Sequence, residues 1–327
     1  EFMAKTKLEE MGTIGAAIVT AWVKFGPSLQ TRYLLPSWVH EELQGIARIT
    51  APHGLSYADL LELNVGYDYV THCTSAVVHT GSPLHLRNMD WDDPRGVMRD
   101  LSVEVEFYER DTLVFTATTW AFFVGVYTGM RWAQGSNQVT PTPQCGAFSL
   151  SLNYRFCNDG LGVNIVRGAT TAVPNGIALR HTLHYCDSYR AAVRTLESVA
   201  LVAPSYFTVC GVENGEGVVI ERDRSKVHRQ VPMSSAAACV VTNIDNDKDS
   251  VDPQWAHGDA LLLNAVARRD LAQRSCNTLQ RLGSTSPDSE VLSASFSVLN
   301  QEPVRNFQTI FSVVMSPARG LYCSRWL

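Results

Sequence analysis

A thiol, a guanidinium and a carboxylate are spaced along this sequence so that a β-hairpin would bring them together. Cys73 begins an apolar run, segment 79–83 is rich in turn residues, and segment 84–88 has the pattern of a return strand. Cys73 lies about as far before the turn as Arg87 and Asp90 lie after it. A nearby cation lowers the pKa of a thiol and favours the reactive thiolate. This spacing therefore predicts a cysteine nucleophile with a cation and an acid beside it.

The same residues also have an ordinary structural interpretation. Cysteine is often a small buried hydrophobic residue, and this chain has eight cysteines. An arginine and an aspartate after a hairpin commonly form an exposed ion pair that contributes little to stability. The local pattern alone leaves a structural cysteine as the alternative to a nucleophile.

Hydrophobic periodicity predicts strands in groups with helices between them, which is an α+β pattern. A capping box at Ser56–Asp59 predicts the start of one helix. The other predicted helices cover residues 7–24, 37–48, 189–203, 260–271 and 290–298. The predicted strands outside the first hairpin cover residues 101–107, 113–118, 147–152, 161–166, 206–212, 218–221, 237–242, 310–315 and 321–325.

Several motifs, in order along the chain, resemble one family of cysteine hydrolases. The run Cys73-Thr-Ser-Ala-Val-Val, followed by Arg87-Asn-Met-Asp-Trp91, resembles the catalytic start of the acid ceramidase and N-acylethanolamine acid amidase family. These are N-terminal-nucleophile (Ntn) hydrolases, similar more distantly to the choloylglycine hydrolases. The further stretches that are similar to the family are 41–50, Gly129, 148–156, 203–207, 215–224 and 241–245.

The resemblance implies the four-layer αββα Ntn-hydrolase sandwich, in which two mostly antiparallel sheets are flanked by helices. It also implies that the chain cuts itself between His72 and Cys73. A helical segment, residues 1–72, and a catalytic segment, residues 73–327, would then form one globular unit. Because residues 1–72 contain no cysteine, packing without a disulfide would hold the two segments together.

The resemblance also implies a role for each catalytic residue. Cutting the chain would free the α-amine of Cys73, and an α-amine has a pKa of about 7.7–8.0, which suits a general base. Asn243 would form the oxyanion hole, although an asparagine there could also be a turn residue after a strand. Asp90 would orient the freed amine, and Arg87 would stabilise the thiolate and hold the Asp90 carboxylate.

The implied reaction is hydrolysis of the amide bond of an N-acyl lipid, ceramide or an N-acylethanolamine, through a thioester on Cys73. The products would be a free fatty acid and an amine, and we expect Met89, Trp91 and Tyr154 to contact the substrate. Two alternatives remain at this stage. One is an acylase for a more polar N-acyl amide of the N-acyl amino acid, penicillin or bile-salt type, and the other is a non-catalytic lipid-binding protein.

The sequence departs from the family pattern at two places. Tyr154 stands where the family usually has an acidic residue. Ala256 and His257 stand where the family usually has an arginine pair, and this chain has Arg268-Arg269 further on. These differences bear on the efficiency of self-cleavage, on the pH optimum and on substrate preference.

Composition and missing motifs exclude several other classes of function. The chain has 327 residues, 45% of them hydrophobic, and a net charge of −5 with both signs interspersed, so we expect no nucleic-acid partner. It has no P-loop, no G-x-S-x-G, no dinucleotide fingerprint and no zinc-protease motif. We therefore expect no cofactor and no metal, and the sequence indicates no obligate protein partner.

The segment 7–24 has two possible interpretations. Its apolar positions at helical spacing predict either a helix that faces the core or a helix that makes transient contact with a membrane surface. The apolar run from Met11 to Val23 is too short to span a bilayer, and it is a poor signal peptide. The resemblance suggests a lysosomal or other acidic or secretory compartment, but the chain has no glycosylation sequon, so localisation stays open.

Overall fold

A computed structural model of the protein describes most of the chain. The described residues are 35–66, 72–93, 96–133, 147–156, 163, 164, 167, 172–234, 236–252, 256, 259–283 and 285–327. The helix predicted over residues 7–24, with its proposed membrane contact, lies outside these residues.

The described helices are short and surround the sheets. They are α1 (Ser37–Thr50), α2 (Tyr57–Gly66), α3 (Val97–Asp100), α4 (Asn175–Tyr185), α5 (Tyr189–Ser198), α6 (Ala260–Leu263), α7 (Ala265–Leu279) and α8 (Asp288–Leu299). The predicted capping box before α2 is confirmed: the Ser56 N–H donates to Asp59 Oδ2 at 2.8 Å, and the Asp59 N–H donates to Ser56 Oγ at 3.3 Å. None of the described helices is both long enough and apolar enough to cross a membrane.

The strands form two antiparallel sheets. They are β1 (His72–His79), β2 (Pro83–Asp90), β3 (Ser102–Glu109), β4 (Thr112–Trp120), β5 (Thr128–Arg131), β6 (Phe148–Tyr154), β7 (Ser205–Cys210), β8 (Gly217–Arg222), β9 (Val227–Pro232), β10 (Cys239–Val241), β11 (Thr309–Ser316) and β12 (Leu321–Trp326). The first sheet has five strands in the order β10-β1-β2-β11-β12, and the second has seven in sequence order from β3 to β9. The predicted hairpin is therefore the centre of the first sheet.

The two sheets stack face to face, and each has helices on its outer face. Strand β1 contacts β6 and β7 of the second sheet, α7 and α8 cover the first sheet, and α4 and α5 cover the second. Apolar side chains fill the space between the sheets and the space under the helices. This arrangement is the predicted αββα sandwich, and it places β1 in the middle of the molecule.

The structure differs from the sequence predictions at several element ends. The helix predicted over 189–203 ends at Ser198, because Val199 is extended and residues 201–203 are buried. The helix predicted over 260–271 is two helices with Asn264 between them. The strand predicted over 161–166 is wrong at Val163 and Asn164, which are helical, and its other residues lie outside the described part. The elements that the sequence did not predict are α3, α4, β5 and β9.

Candidate active site

The β1–β2 hairpin fixes which side chains face each other. Its register places Cys73 opposite Met89, Ser75 opposite Arg87 and His72 opposite Asp90. Side chains alternate along a strand, so Cys73 and Arg87 face the second sheet whereas His72 and Asp90 face the other side. The thiol, the guanidinium and the carboxylate thus lie at one end of the hairpin, as predicted, but the Asp90 carboxylate lies on the face opposite Cys73 and Arg87.

Arg87 contacts the second sheet rather than Asp90. Its Nη1 donates to Asn153 Oδ1 at 2.6 Å, and its Nη2 donates to the Leu152 carbonyl at 2.7 Å. Among the described residues, its hydrogen bonds include none to Asp90. Residues three apart in a strand point to opposite faces, so the prediction that Arg87 holds the Asp90 carboxylate is wrong.

Arg268 is the arginine beside Asp90. It reaches in from α7, fully buried, and its Nη1 lies 3.5 Å from Asp90 Oδ2. The same Nη1 donates to the Cys73 carbonyl at 2.9 Å, and Nη2 donates to Asn243 Oδ1 at 3.0 Å. Thr309 Oγ1 donates to the other Asp90 oxygen at 2.7 Å. Sequence reasoning missed this residue, and its only signal was the displaced arginine pair at 268–269.

Asn243 holds the backbone nitrogen that self-cleavage would release. The Cys73 N–H donates to Asn243 Oδ1 at 3.0 Å, and Asn243 Nδ2 donates to the Tyr154 carbonyl at 2.9 Å. The carboxamide oxygen therefore faces the Cys73 nitrogen. The predicted role of the Asn243 N–H in an oxyanion hole stays a prediction.

Burial keeps the Cys73 thiol protonated in the uncut chain. The side chain is fully buried in the apolar cluster that contains Met89, and its Sγ lies 3.7 Å from Met89 Sδ. Burial raises the pKa of the Cys73 thiol, and the charge of Arg87 opposes this rise without overcoming it. Arg87 thus acts in the expected direction, but the net shift is opposite to the one predicted from the sequence. A base would have to remove this proton before the thiol could act as a nucleophile.

His72, at the bond expected to be cut, is enclosed by an aromatic ring and a carboxylate. Its Nε2 lies 2.9 Å from Asp259 Oδ2, and its ring stacks on Phe156 with 5.4 Å between centroids. The Tyr154 ring packs edge-on against the Phe156 ring, with 5.0 Å between the ring centroids. Tyr154, expected to contact the substrate, is half-buried beside the candidate scissile bond.

The other two expected substrate contacts, Met89 and Trp91, lie on the apolar side of the thiol. Both are buried in the same cluster as Cys73, which also contains Phe311. The Trp91 ring packs edge-on against Trp120 with 5.4 Å between centroids. The Cys73 thiol therefore lies in an apolar region, whereas the polar group around His72 belongs to the opposite face of β1.

A chain of buried hydrogen bonds continues from Arg87 between the two sheets. Ser75 accepts from Arg87 at 3.1 Å and is bonded to Ser151 at 2.9 Å. The two ring nitrogens of His85 lie 2.9 Å from Ser151 Oγ and 3.0 Å from Ser149 Oγ. Burial, and then the charge of Arg87, lower the pKa of His85 to about 3, so this histidine is neutral near pH 7.

Hydrogen bonds between the sheets position Asn243. The Asn153 side chain donates to the Thr242 carbonyl at 2.9 Å. Arg155 donates to both oxygens of Asp245, at 2.6 and 2.8 Å. Burial alone would raise the pKa of Asp245, but Arg155 lowers it overall. The ends of β6 and β10 are therefore tied together on either side of Asn243.

One group of side chains has the composition of a metal site. Ligand atoms of Glu221, His228 and Asp245 lie within 4.8 Å of one another. Arg155, however, bonds to both oxygens of Asp245, and Arg229 Nε lies 3.7 Å from Glu221 Oε2. Two guanidinium groups already compensate these carboxylates, so the group acts as an ion-pair network.

Comparison with known proteins shows similarity to two kinds of amide hydrolase. The mouse (Mus musculus) acid ceramidase is 28% identical over 308 residues, which cover 88% of this chain and 70% of the relative. A Caenorhabditis elegans N-acylethanolamine-hydrolyzing acid amidase is 29% identical over 295 residues, which cover 85% of this chain and 72% of the relative. No family model matches the chain.

A solved structure shares the fold. The C. elegans N-acylethanolamine-hydrolyzing acid amidase ortholog superposes with a TM-score of 0.58 at 26% sequence identity. The match covers 78% of this chain and 100% of the solved chain. The resemblance found in the sequence motifs is confirmed by both the sequence and the structure comparisons.

Proposed function

We propose that this protein, which resembles acid ceramidases and N-acylethanolamine-hydrolyzing acid amidases along most of its length, is a cysteine Ntn amidase for N-acyl lipids. One observation carries the proposal: the buried Cys73 has its nitrogen held by Asn243 and its carbonyl held by Arg268. Every buried backbone N–H and C=O needs a partner, but those of Cys73 are bonded by side chains, because the pairing of β1 with β10 ends at Ser75 and Val241. These side chains are in place to hold the amine that a cut before Cys73 would release.

The first reaction is the cut before Cys73. Cys73 Sγ adds to the carbonyl carbon of His72, the peptide nitrogen of Cys73 leaves as an amine and takes the thiol proton, and a thioester forms. Water then hydrolyses the thioester, which leaves a carboxylate on His72 and regenerates the thiol.

The second reaction uses the amine that the first one releases. The α-amine of Cys73 takes the proton of its own thiol, and the thiolate attacks the amide carbonyl of the substrate. The charge of Arg87 stabilises the thiolate, while Asn243 Oδ1 and Asp90, which is held by Arg268, orient the amine. The amine part of the substrate leaves with a proton, and water releases the fatty acid from the thioester.

The apolar side of the nucleophile supports a lipid substrate. Met89 and Trp91 lie in one buried apolar cluster with Cys73, which suits an acyl chain rather than a polar acyl group. Each buried methylene contributes about 0.8 kcal/mol, which is about fourfold in kcat/KM. We expect kcat/KM to rise with acyl-chain length. A flat or falling series would favour an acylase for polar amides.

The mass of the denatured protein tests the proposal, measured before and after incubation at mildly acidic pH. We expect the wild type to give two fragments that divide between His72 and Cys73, and Cys73→Ala to stay intact. An intact wild-type chain at every pH, with no turnover of any N-acyl amide, would contradict the proposal. The non-catalytic lipid-binding alternative predicts that result together with lipid binding by Cys73→Ala.

A further inference from the structure

The two residues of the bond that we expect to be cut are held by different groups. Hydrogen bonds with Asn243 and Arg268 hold the backbone of Cys73. The pairing of β1 with β10 stops short of His72, whereas the pairing of β1 with β2 includes it. In the described part of the chain, strand pairing therefore holds His72 from one side only, and its side chain provides a further attachment.

The His72 side chain is anchored on the face of β1 that points away from the second sheet. It is 3% exposed, and its ring stacks on the Phe156 ring at an interplanar angle of 28°. Its Nε2 lies 2.9 Å from Asp259 Oδ2. These two contacts restrain both the position and the orientation of the ring. Because neighbouring side chains of a strand point to opposite faces, this anchor lies away from the Cys73 thiol.

Asp259 is itself fixed by the start of a helix. Its Oδ1 accepts from the backbone N–H groups of Leu261 and Leu262, both at 3.0 Å, at the start of α6. With one oxygen held by two backbone donors, the other oxygen is kept facing His72. The start of α6 thus supports the residue whose carbonyl is attacked in the expected cut.

The position of the His72 carbonyl decides whether Cys73 Sγ can attack it. The sulfur and this carbonyl carbon belong to adjacent residues, and rotation about the backbone of His72 changes the direction from which the sulfur approaches. A misplacement of about 1 Å can slow a reaction by about hundredfold. A side chain that is held at two points limits this rotation, so it keeps the carbonyl within reach of the sulfur.

We propose that Asp259 is a positioning residue for self-cleavage, which acts through His72 on the carbonyl of the bond to be cut. Phe156 provides the surface against which the His72 ring is held. After the cut, the carbonyl that is attacked belongs to the substrate, so this anchor is no longer needed. Asp259 therefore sets the rate of maturation and not the rate of amide turnover. This inference rests on the proposed self-cleavage and assigns a further residue to it.

Asp259→Ser tests the inference through two rates measured on the same protein. Serine keeps an oxygen that caps α6 but lacks the second oxygen that faces His72. We expect self-cleavage, followed by the mass of the denatured protein, to slow by about tenfold. We expect kcat/KM for an N-acylethanolamine, expressed per cut molecule, to stay within about twofold of the wild type. Losses of similar size in both rates, or an unchanged rate of self-cleavage, would overturn the inference.

Two substitutions of His72 test the same contact from the other side. Methionine and glutamine side chains have similar lengths, but only glutamine has an N–H that can donate to Asp259. We expect His72→Met to slow self-cleavage by about tenfold and His72→Gln to stay within about threefold of the wild type. Equal rates for the two variants would show that the contact with Asp259 does not matter to the cut.

A double-mutant cycle determines whether Asp259 acts through His72. The rate of self-cleavage in the double variant His72→Met, Asp259→Ser should equal that of either single variant, whereas losses that multiply would contradict this route. Urea unfolding in the uncut Cys73→Ala background establishes that each variant folds. If Asp259→Ser does not fold, the comparison of His72→Met with His72→Gln decides the question alone.

Asp59→Ser is the matched control. Asp59 is an exposed carboxylate at the start of another helix, α2, where it accepts from the Ser56 N–H at 2.8 Å. Its replacement should change neither rate by more than about twofold. A wild type that is never cut contradicts the proposed function itself. A wild type that is cut no faster than the Asp259 and His72 variants contradicts only the role of Asp259.

Discussion

Arg268 is the residue on which most of the site geometry converges. Its guanidinium contacts the carbonyl of Cys73, the carboxylate of Asp90 and the side-chain oxygen of Asn243. A planar group with several fixed donors can make these contacts together, whereas a lysine ammonium is a single point charge. Arg268 therefore positions Cys73, Asp90 and Asn243 relative to one another.

We predict that Arg268→Lys slows self-cleavage and amide turnover by about tenfold to hundredfold, since hydrogen bonds to charged groups contribute about 1.5–3 kcal/mol. Denatured mass over time measures the first rate, and fatty-acid release measures the second. Arg269→Lys is the control, because Arg269 Nη1 donates to the carbonyl of Lys248 in a loop at 2.8 Å. Equal losses in the two variants would show that Arg268 acts only through stability.

A buried histidine makes stability depend on pH. The pKa of His85 is lowered to about 3 from 6.5, so the folded state excludes a proton that the unfolded state binds. The stabilisation is present above pH 6.5 and is lost as the pH falls toward 3. Between these two pKa values, each pH unit changes the free energy of unfolding by about 1.4 kcal/mol. We therefore predict that the free energy of unfolding falls by roughly 2–3 kcal/mol between pH 6.5 and 4.5.

His85→Gln tests this prediction by urea unfolding at a series of pH values. Glutamine can hydrogen-bond to Ser149 or Ser151, but it does not titrate. The free energy of unfolding of the variant should therefore lose roughly 2–3 kcal/mol less than that of the wild type between pH 6.5 and 4.5, even if the variant is less stable at pH 7. His53→Gln, at an exposed position, is the control and should keep the wild-type slope. If the free energy of unfolding of His85→Gln depended on pH as strongly as that of the wild type, the assignment of this dependence to His85 would be wrong.

At the scale of elements, the sequence predicted best where the signal is local. The hairpin and the capping box at Ser56 depend on residues close together in the chain, and both were predicted. Arg268 was missed because it lies 195 residues from Cys73 and meets it only when α7 packs on β1. The contact of Arg87 with Asn153 was missed for the same reason, since it joins two separate sheets. Strand β5, Thr128–Arg131, is only four residues long and contains a glycine, which leaves little periodicity to detect.

The link between β6 and β10 makes a prediction at this scale. Arg155 bonds to Asp245, two residues after Asn243, and thereby fixes the end of β10. Lysine cannot make the bidentate hydrogen bond that Arg155 makes to Asp245. We predict that Arg155→Lys lowers kcat by about tenfold and changes KM little, because the change shifts Asn243 but does not alter a substrate contact. Arg229→Lys, at the partly exposed edge of the same ion-pair network, should change kcat less than twofold. A rise in KM alone for Arg155→Lys would contradict this positioning role.

At the scale of the whole molecule, the described part of the first segment is tied to the second by packing and hydrogen bonds. Leu43 of α1 and Leu60 of α2 share a buried cluster with Val124. Asn64 of α2 donates to the Phe122 carbonyl at 2.9 Å and accepts from the Val124 N–H at 2.7 Å. These contacts join residues on opposite sides of the expected cut. They provide a physical reason for the two segments to remain one particle after cleavage.

We therefore predict that the cut protein elutes as one particle in native size-exclusion chromatography and separates only in denaturant.

Leu43→Ala removes a fully buried side chain and should lower the free energy of unfolding by about 2–5 kcal/mol. In the cut protein, this loss should release the first segment at a lower urea concentration. In the uncut Cys73→Ala background, the same change should lower the unfolding midpoint without releasing a fragment. Ile49→Ala, on the same helix but 77% exposed, should leave both midpoints unchanged. Separation of the wild-type fragments without denaturant would show that the contacts of α1 and α2 do not hold the cut protein together.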